Sequence, residues 1–176
     1  MGVFASCFKP KLKSVPEVDV GHMLGDWKVV AVIPTPFEKN GYNPTEKYTW
    51  DEAKQRIDVD FTLNKGALDG PVKSIPQHIY TGSFPKSTGE WQASPMWPIK
   101  LSYVIMALDT EQYSWVLVGH PSRSFLWLMG RETSLPQNII DQNLELAKKE
   151  GFNLDNLVYP KHNGQDPANS ASSTNK

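Results

Sequence analysis

The sequence contains one cysteine, Cys7, among 176 residues. No intramolecular disulfide can form, and no cysteine-rich zinc site can be built. No apolar run approaches the roughly 18 residues that a membrane-spanning helix needs. Charge of one sign is also lacking: 18 Lys and Arg stand against 19 Asp and Glu, for a formal net charge of -1. Nucleic-acid binders usually carry a basic surplus, so no nucleic-acid partner is expected. The patterns G-x-S-x-G, G-x-x-x-x-G-K-[ST] and H-E-x-x-H do not occur, which removes the commonest hydrolase, phosphate-loop and zinc-protease readings. His22, His78, His120 and His162 are scattered without metal-ligand spacing, so neither a metal nor any other cofactor is expected. Asp58 and Asp60 share one face of a strand, opposite Ile57 and Val59, and read as solvated rather than as a buried acid–base pair. What is abundant is aromatic and turn-forming: six Trp and 14 Pro lean toward a β-rich fold.

Both ends read as lying outside the fold. Residues 161–176 hold no large apolar side chain that could offset the entropy of ordering them, and are expected to form a disordered tail. Residues 1–20 open with MGVFASCFKPKLKSVP. Gly2 and Ser6 match M-G-x-x-x-[ST], the N-myristoylation pattern. Cys7 follows, where a second acyl chain could be added, and then come Lys9, Lys11 and Lys13. One myristoyl chain binds membranes marginally, so a second acyl group or a basic patch is needed for a firm anchor. The expected partner of this segment is therefore a membrane surface, on its cytosolic face. Phe4-Ala5-Ser6-Cys7 also has the look of a bacterial lipoprotein signal, but lacks the charged start and apolar run of one. Residues 21–160 are the expected folded domain.

Within that domain the hydrophobic period is mostly two. Trp27, Val29, Ala31 and Ile33 alternate with Lys28, Val30 and Val32, and Pro34 ends the segment. Residues 45–50 form a second candidate strand, and 55–63 a third with Ile57, Val59, Phe61 and Leu63 on one face. More strands are expected near 76–83, 89–94, 99–109, 113–119 and 124–131, joined by short turns. The last two are apolar on both faces, so something must cover them. A helix can do so: Ser134 and Gln137 are spaced as a capping box, Ile140, Leu144 and Ala147 fall on one stripe, and Gly151 stops it. A short strand near 156–159 completes the chain. The pattern predicts an all-β fold of about eight strands in a meander, with one helix near its end.

The residues at three places make this specific. Gly25-Asp26-Trp27 forms G-x-W at the start of the first strand. Asp109 lies in ALDTEQYSWVLVG, and Arg131 closes PSRSFLWLMGR. In order and separation these resemble the three motifs of the lipocalin family. GDWKVVAVIPTPFE and EGFNLDNLVY resemble the branch of bacterial lipocalin lipoproteins, plant temperature-induced lipocalins and apolipoprotein D. The resemblance runs from about residue 21 to 160. It implies an eight-stranded antiparallel up-and-down β-barrel with the helix packed outside, and Arg131 packed over a Trp27 that plugs the closed end.

Such a barrel holds one small hydrophobic ligand. Candidate inward residues are Val29, Ala31, Ile33, Tyr48, Ile57, Val59, Phe61, Trp91, Trp97, Tyr103, Ile105, Trp115 and Trp127. Each is equally readable as plain core. Some lipocalins are enzymes that use a barrel cysteine as nucleophile; here the single cysteine lies in the N-terminal segment, so a non-enzymatic lipid carrier for transport or protection is expected. The alternatives are an enzyme acting on an isoprenoid or oxidised lipid, and an interaction module whose barrel is filled by its own aromatics.

Overall fold

The computed structural model describes residues 10–36, 38–96 and 98–164. Gly2 and Cys7, which carry the acylation reading, lie outside the described residues, as do Trp97 and residues 165–176. The elements run β1 (Val18–Asp19), α1 (Val20–Met23), β2 (Gly25–Ile33), β3 (Gly41–Asp51), β4 (Arg56–Lys65) and β5 (Val72–Tyr80). They continue with β6 (Lys86–Ser87), β7 (Glu90–Met96), β8 (Ile99–Leu108), β9 (Trp115–Gly119), β10 (Leu126–Gly130) and α2 (Gln137–Lys149). Strands β2–β5 and β7–β10 close into an antiparallel barrel in the order β10-β2-β3-β4-β5-β7-β8-β9. The short β1 and β6 pair separately, Val18 opposite Ser87.

Alternation sorts the apolar residues into two clusters. The inner one holds Trp27, Val29, Val32, Tyr48, Ile57, Val59, Trp91, Tyr103, Ile105 and Val116, among others. The outer one joins Val30, Ala31, Ile33, Met106, Leu117 and Leu128 to Ile140 and Ala147 of α2 and to Phe152. The helix thus covers the strands that are apolar on both faces. Its end is a Schellman turn: Gly151 takes φ 90°, its N–H reaches Lys148 O at 2.9 Å, and Phe152 N–H reaches Ala147 O at 3.0 Å. Its start differs from expectation. Pro136 takes the N-cap position without a side-chain bond, and Gln137 reaches forward to Asp141 at 2.8 Å instead of back to Ser134.

Two bulges change which residues face inward. On β2, Met129 of β10 pairs with Val29 and Leu128 with Ala31, so Val30 is one residue too many. The parity flips there. Ala31 and Ile33, expected inside, instead join the outer cluster, and Val32 turns in. On β8, Ile105 pairs with Val118 and Ala107 with Leu117, leaving Met106 as the extra residue. Both bulges feed apolar side chains to the face under α2. Trp115 is likewise corrected: it shares its face with Leu117 of the outer cluster, while Val116 and Val118 face in.

The ends of the domain also differ from expectation. The chain is packed well before residue 21. Leu12 is buried in the outer cluster, Val15 N–H reaches Ile105 O at 2.9 Å, and Val18 and Val20 are buried. Leu12 joins the outer cluster, while Val18 and Val20 join the inner one with Val15 packed against it. At the other end, residues 158–163 fill a seam. β2 and β3 pair only from Gly25–Tyr48 to Lys28–Thr45. Beyond that, Val32 bonds Val158, buried His162 meets Val29 O at 2.8 Å, and Asn43 N–H reaches Lys161 O at 2.8 Å. The segment expected as a tail from 161 therefore contributes to the wall up to Asn163, whose N–H reaches Asn43 Oδ1 at 2.6 Å.

Leu12→Ala removes a fully packed side chain and is expected to cost about 2–4 kcal/mol in urea unfolding, where a true tail residue would cost nothing.

Candidate functional site

The closed end is built on Trp27. Its ring is fully buried, and its Nε1–H donates to Met23 O in α1 at 2.8 Å. The Arg131 guanidinium lies over the ring, 3.6 Å from its centre. Arg131 also donates to the carbonyls of Tyr113 at 3.1 Å, Asp26 at 2.9 Å and His22 at 2.6 Å. Gly25, at φ 96°, lets the chain turn into β2 beneath that side chain. Asp109 organises the β8–β9 turn: it accepts from the N–H groups of Glu111 and Gln112, and from the Ser114 hydroxyl at 2.6 Å. These four residues form the floor, and none lines the open half.

Above the floor the structure brings together a group that the sequence reading did not single out as a unit. Trp27 pairs with Glu46 across β2 and β3, so Glu46 points into the barrel with Tyr48 and Trp50. Tyr48 Oη donates to Glu46 Oε2 at 2.5 Å. Tyr48 Oη and Tyr103 Oη lie 2.6 Å apart, spanning the barrel from β3 to β8. A phenol has one proton. Tyr48 commits its own to the carboxylate, so Tyr103 donates to Tyr48 and the chain runs Tyr103→Tyr48→Glu46. Trp91 stacks beside Tyr103 with centroids 6.0 Å apart, and its Nε1–H is satisfied by Ser87 Oγ at 2.8 Å.

Burial dominates the electrostatics. Glu46 is 8 % exposed, and loss of water pushes its carboxyl up to about 7. The Tyr48 hydrogen bond opposes that rise, and the nearby Glu38 carboxylate adds to it. Burial also raises both tyrosines well above the ordinary phenol range, with the Glu46 charge adding to it, so they stay protonated donors. Glu38 itself holds the mouth together: it accepts from Thr35 N–H at 2.8 Å and from Trp127 Nε1–H at 2.9 Å.

The other expected lining residues separate by place. Val29, Ile57, Val59, Trp91, Tyr103 and Ile105 are buried in the inner cluster, and Trp127 packs partly buried against it near the mouth. Phe61 is buried opposite Glu46, on the same face as Val59. Among the described residues no group of three or more His, Cys, Asp or Glu could hold a metal ion. Two shallow depressions lie outside the barrel, one along α2 at Asp141–Lys149 and one beside Lys11, Leu12 and Glu90, and neither reaches Glu46.

This is the architecture of a carrier of small hydrophobic ligands, and the comparisons agree. The lipocalin-like domain family matches residues 18–162. The chain belongs to the lipocalin family. It is 30 % identical over 153 residues to the outer membrane lipoprotein Blc of Vibrio cholerae, covering 84 % of this chain and 85 % of that one. It is 24 % identical over 163 residues to temperature-induced lipocalin-1 of Arabidopsis thaliana, covering 85 % and 82 %. Insecticyanin of the tobacco hornworm Manduca sexta has the same fold, with a TM-score of 0.66 at 14 % identity over 92 % of this chain and 88 % of that one. These curated relatives are named as lipoproteins and lipocalins, none of them by an enzymatic activity. The cytosolic-face location expected from the N-terminal pattern is corrected by the bacterial relatives, which are outer membrane lipoproteins.

The raised Glu46 carboxyl has a consequence for stability. The folded state holds that proton up to about pH 7, while the unfolded chain releases it near 4.5. Between those values the folded state binds more protons, so stability falls as pH rises and stays reduced above about 7. Glu46→Gln keeps an acceptor for Tyr48 and carries no charge. It is expected to be more stable than the parent above pH 7 by up to ~3 kcal/mol, with the gap closing toward pH 4.5 in denaturant titrations.

Proposed function

We propose that this protein is a membrane-anchored lipocalin that takes a single small lipid, such as a fatty acid, a lysophospholipid or a similar amphiphile, into its barrel for transport or protection. The observation that carries the reading is a closed barrel whose interior is apolar apart from the Glu46–Tyr48–Tyr103 group and whose floor is sealed by Trp27. An acyl chain of about 16 carbons buried there gains on the order of 10 kcal/mol before ordering costs. Val32, Leu63 and Trp127 are the walls it would meet first from the mouth, with Val29, Phe61 and Glu46 deeper.

Two features support a membrane as the source. The exposed apolar residues Val72, Met96, Ile99 and Leu101 all fall at the mouth ends of β5, β7 and β8. The N-terminal chain leaves at the same end. Arg123, in the β9–β10 turn, is buried and donates to Pro10 O at 2.6 Å, to Pro121 O and to Glu150 O. An acyl group on the preceding residues, Cys7 foremost and Gly2 as the other acceptor, would therefore hold the mouth toward the bilayer, with Lys9, Lys11 and Lys13 beside it. A barrel fixed within reach of its lipid meets it at high effective concentration.

Native and then denaturing mass spectra of the protein from its own cells test both parts. The expected result is a mass that falls on denaturation by the weight of one lipid, and added acyl mass retained on the N-terminal peptide. An unmodified N-terminal peptide refutes the anchor. A barrel that never carries or takes up lipid favours the interaction-module reading, which the Tyr48–Tyr103 bridge across the interior would then explain.

A further inference from the structure

The polar centre of the barrel is acidic. Among the described residues the buried charged side chains are Glu46, inside the barrel, and Arg123, outside it in the β9–β10 turn. The groups around Glu46 give it no cation. From β3 and β8 come the Tyr48 and Tyr103 hydroxyls, and from the 34–40 turn comes Glu38, a second carboxylate. From β4 come Val59, Phe61 and Leu63. From β5 the inward register brings Ile75, Gln77 and Ile79, with half-buried Lys73 one step further out, opposite Leu63. From β2 comes Trp27, with Arg131 stacked on its ring and bonded to the closed-end carbonyls of His22, Asp26 and Tyr113.

The hydrogen-bond chain also has a direction. Tyr103 and Tyr48 pass their protons toward Glu46, and Tyr48 is the one described donor that reaches the carboxylate. Both triad protons are therefore committed, and acceptor capacity is left over at the two ends of the chain, on the Glu46 carboxylate and on the Tyr103 oxygen. A buried acceptor facing apolar walls is satisfied by a donor. A second ionised carboxylate placed beside it would be repelled in a medium where water cannot screen the pair.

We propose that the Glu46–Tyr48–Tyr103 triad selects cargo by its donor: a single-chain amphiphile ending in a hydroxyl or ammonium group is taken up, and one ending in a free carboxylate is refused. The inference rests on the lipid-carrier reading and narrows it. Glu46 is the contacting residue. Tyr48 and Tyr103 are positioning residues: Tyr48 fixes one carboxylate oxygen and Tyr103 fixes Tyr48. A chain ending in an alcohol or an ammonium group fits, whereas an ionised fatty acid does not.

The test uses the full chain and three probes of equal length: dodecan-1-ol, dodecylamine and dodecanoate. Binding is read by tryptophan fluorescence and by native mass spectrometry at about pH 8, where Glu46 and dodecanoate are both ionised. The alcohol and the amine are expected to bind at least about tenfold more tightly than dodecanoate. Glu46→Gln is expected to raise dodecanoate affinity and to erase the advantage of the amine. Lowering the pH to about 5.5, where Glu46 holds its proton, should move the parent protein the same way and leave the Gln variant with a smaller change. Thermal melts of the variant confirm that it is folded. Dodecanoate binding as tightly as the amine at the higher pH overturns the proposal, and so does an amine-to-acid ratio unaltered by Glu46→Gln. If none of the three probes binds at either pH, the lipid-carrier reading fails and this inference fails with it.

Discussion

The indole of Trp27 is held from three directions: by the Met23 carbonyl at its N–H, by the Arg131 guanidinium on its face, and by the inner cluster around its edge. Arg131 in turn gathers carbonyls from the α1 turn, from the start of β2 and from the β8–β9 turn. The first and last barrel strands, β2 and β10, pair with each other here, Lys28 opposite Gly130, so the closed end is stitched where the barrel closes on itself. A sealed floor keeps water from the interior. Without it Glu46 would be solvated, its carboxyl would titrate like any surface glutamate, and the tyrosines above it would have no reason to align. The chemistry of the interior is thus a property of the plug.

Strand count, direction, the covering helix and the closing motif were legible because each has a local signature: period two, a Gly-stopped amphipathic stretch, and G-x-W with a late arginine. Lining residues were less legible. Ala31 and Ile33 obey the alternation set by Trp27 and Val29 but face outward, because Val30 is an extra residue. A bulge is a property of two strands in register, and no single strand announces it. Trp115 failed for a simpler reason, since the alternation Val116, Leu117, Val118 is apolar at every position and carries no phase.

Glu46 could have been found. In the stretch TEKYTW it stands at the same parity as Tyr48 and Trp50, so whichever face holds the aromatics also holds a carboxylate. A charge sharing a face with two aromatics in a barrel strand is the informative exception to the rule that charges point out. What no sequence pattern contains is the 2.6 Å approach of Tyr103 from β8, because that contact spans 55 residues and depends on barrel closure. The packed residues before position 21 were missed because composition averages over a segment and overlooks single apolar side chains, and those after 160 because they are held by hydrogen bonds to Val29 and Asn43 that composition does not register.

The segment that stitches β2 to β3 gives the wall two kinds of seam. Near the floor the two strands are joined by their own ladder over four registered pairs. Toward the mouth the joint is made by a strap of chain, through Val158, Lys161 and His162. A ladder fixes the distance between neighbours, whereas a strap sets it by the length and packing of an inserted piece. The circumference of this barrel is therefore an integer number of strands at its base and an adjustable quantity at its rim, and it is at the rim that cargo of different girth has to pass.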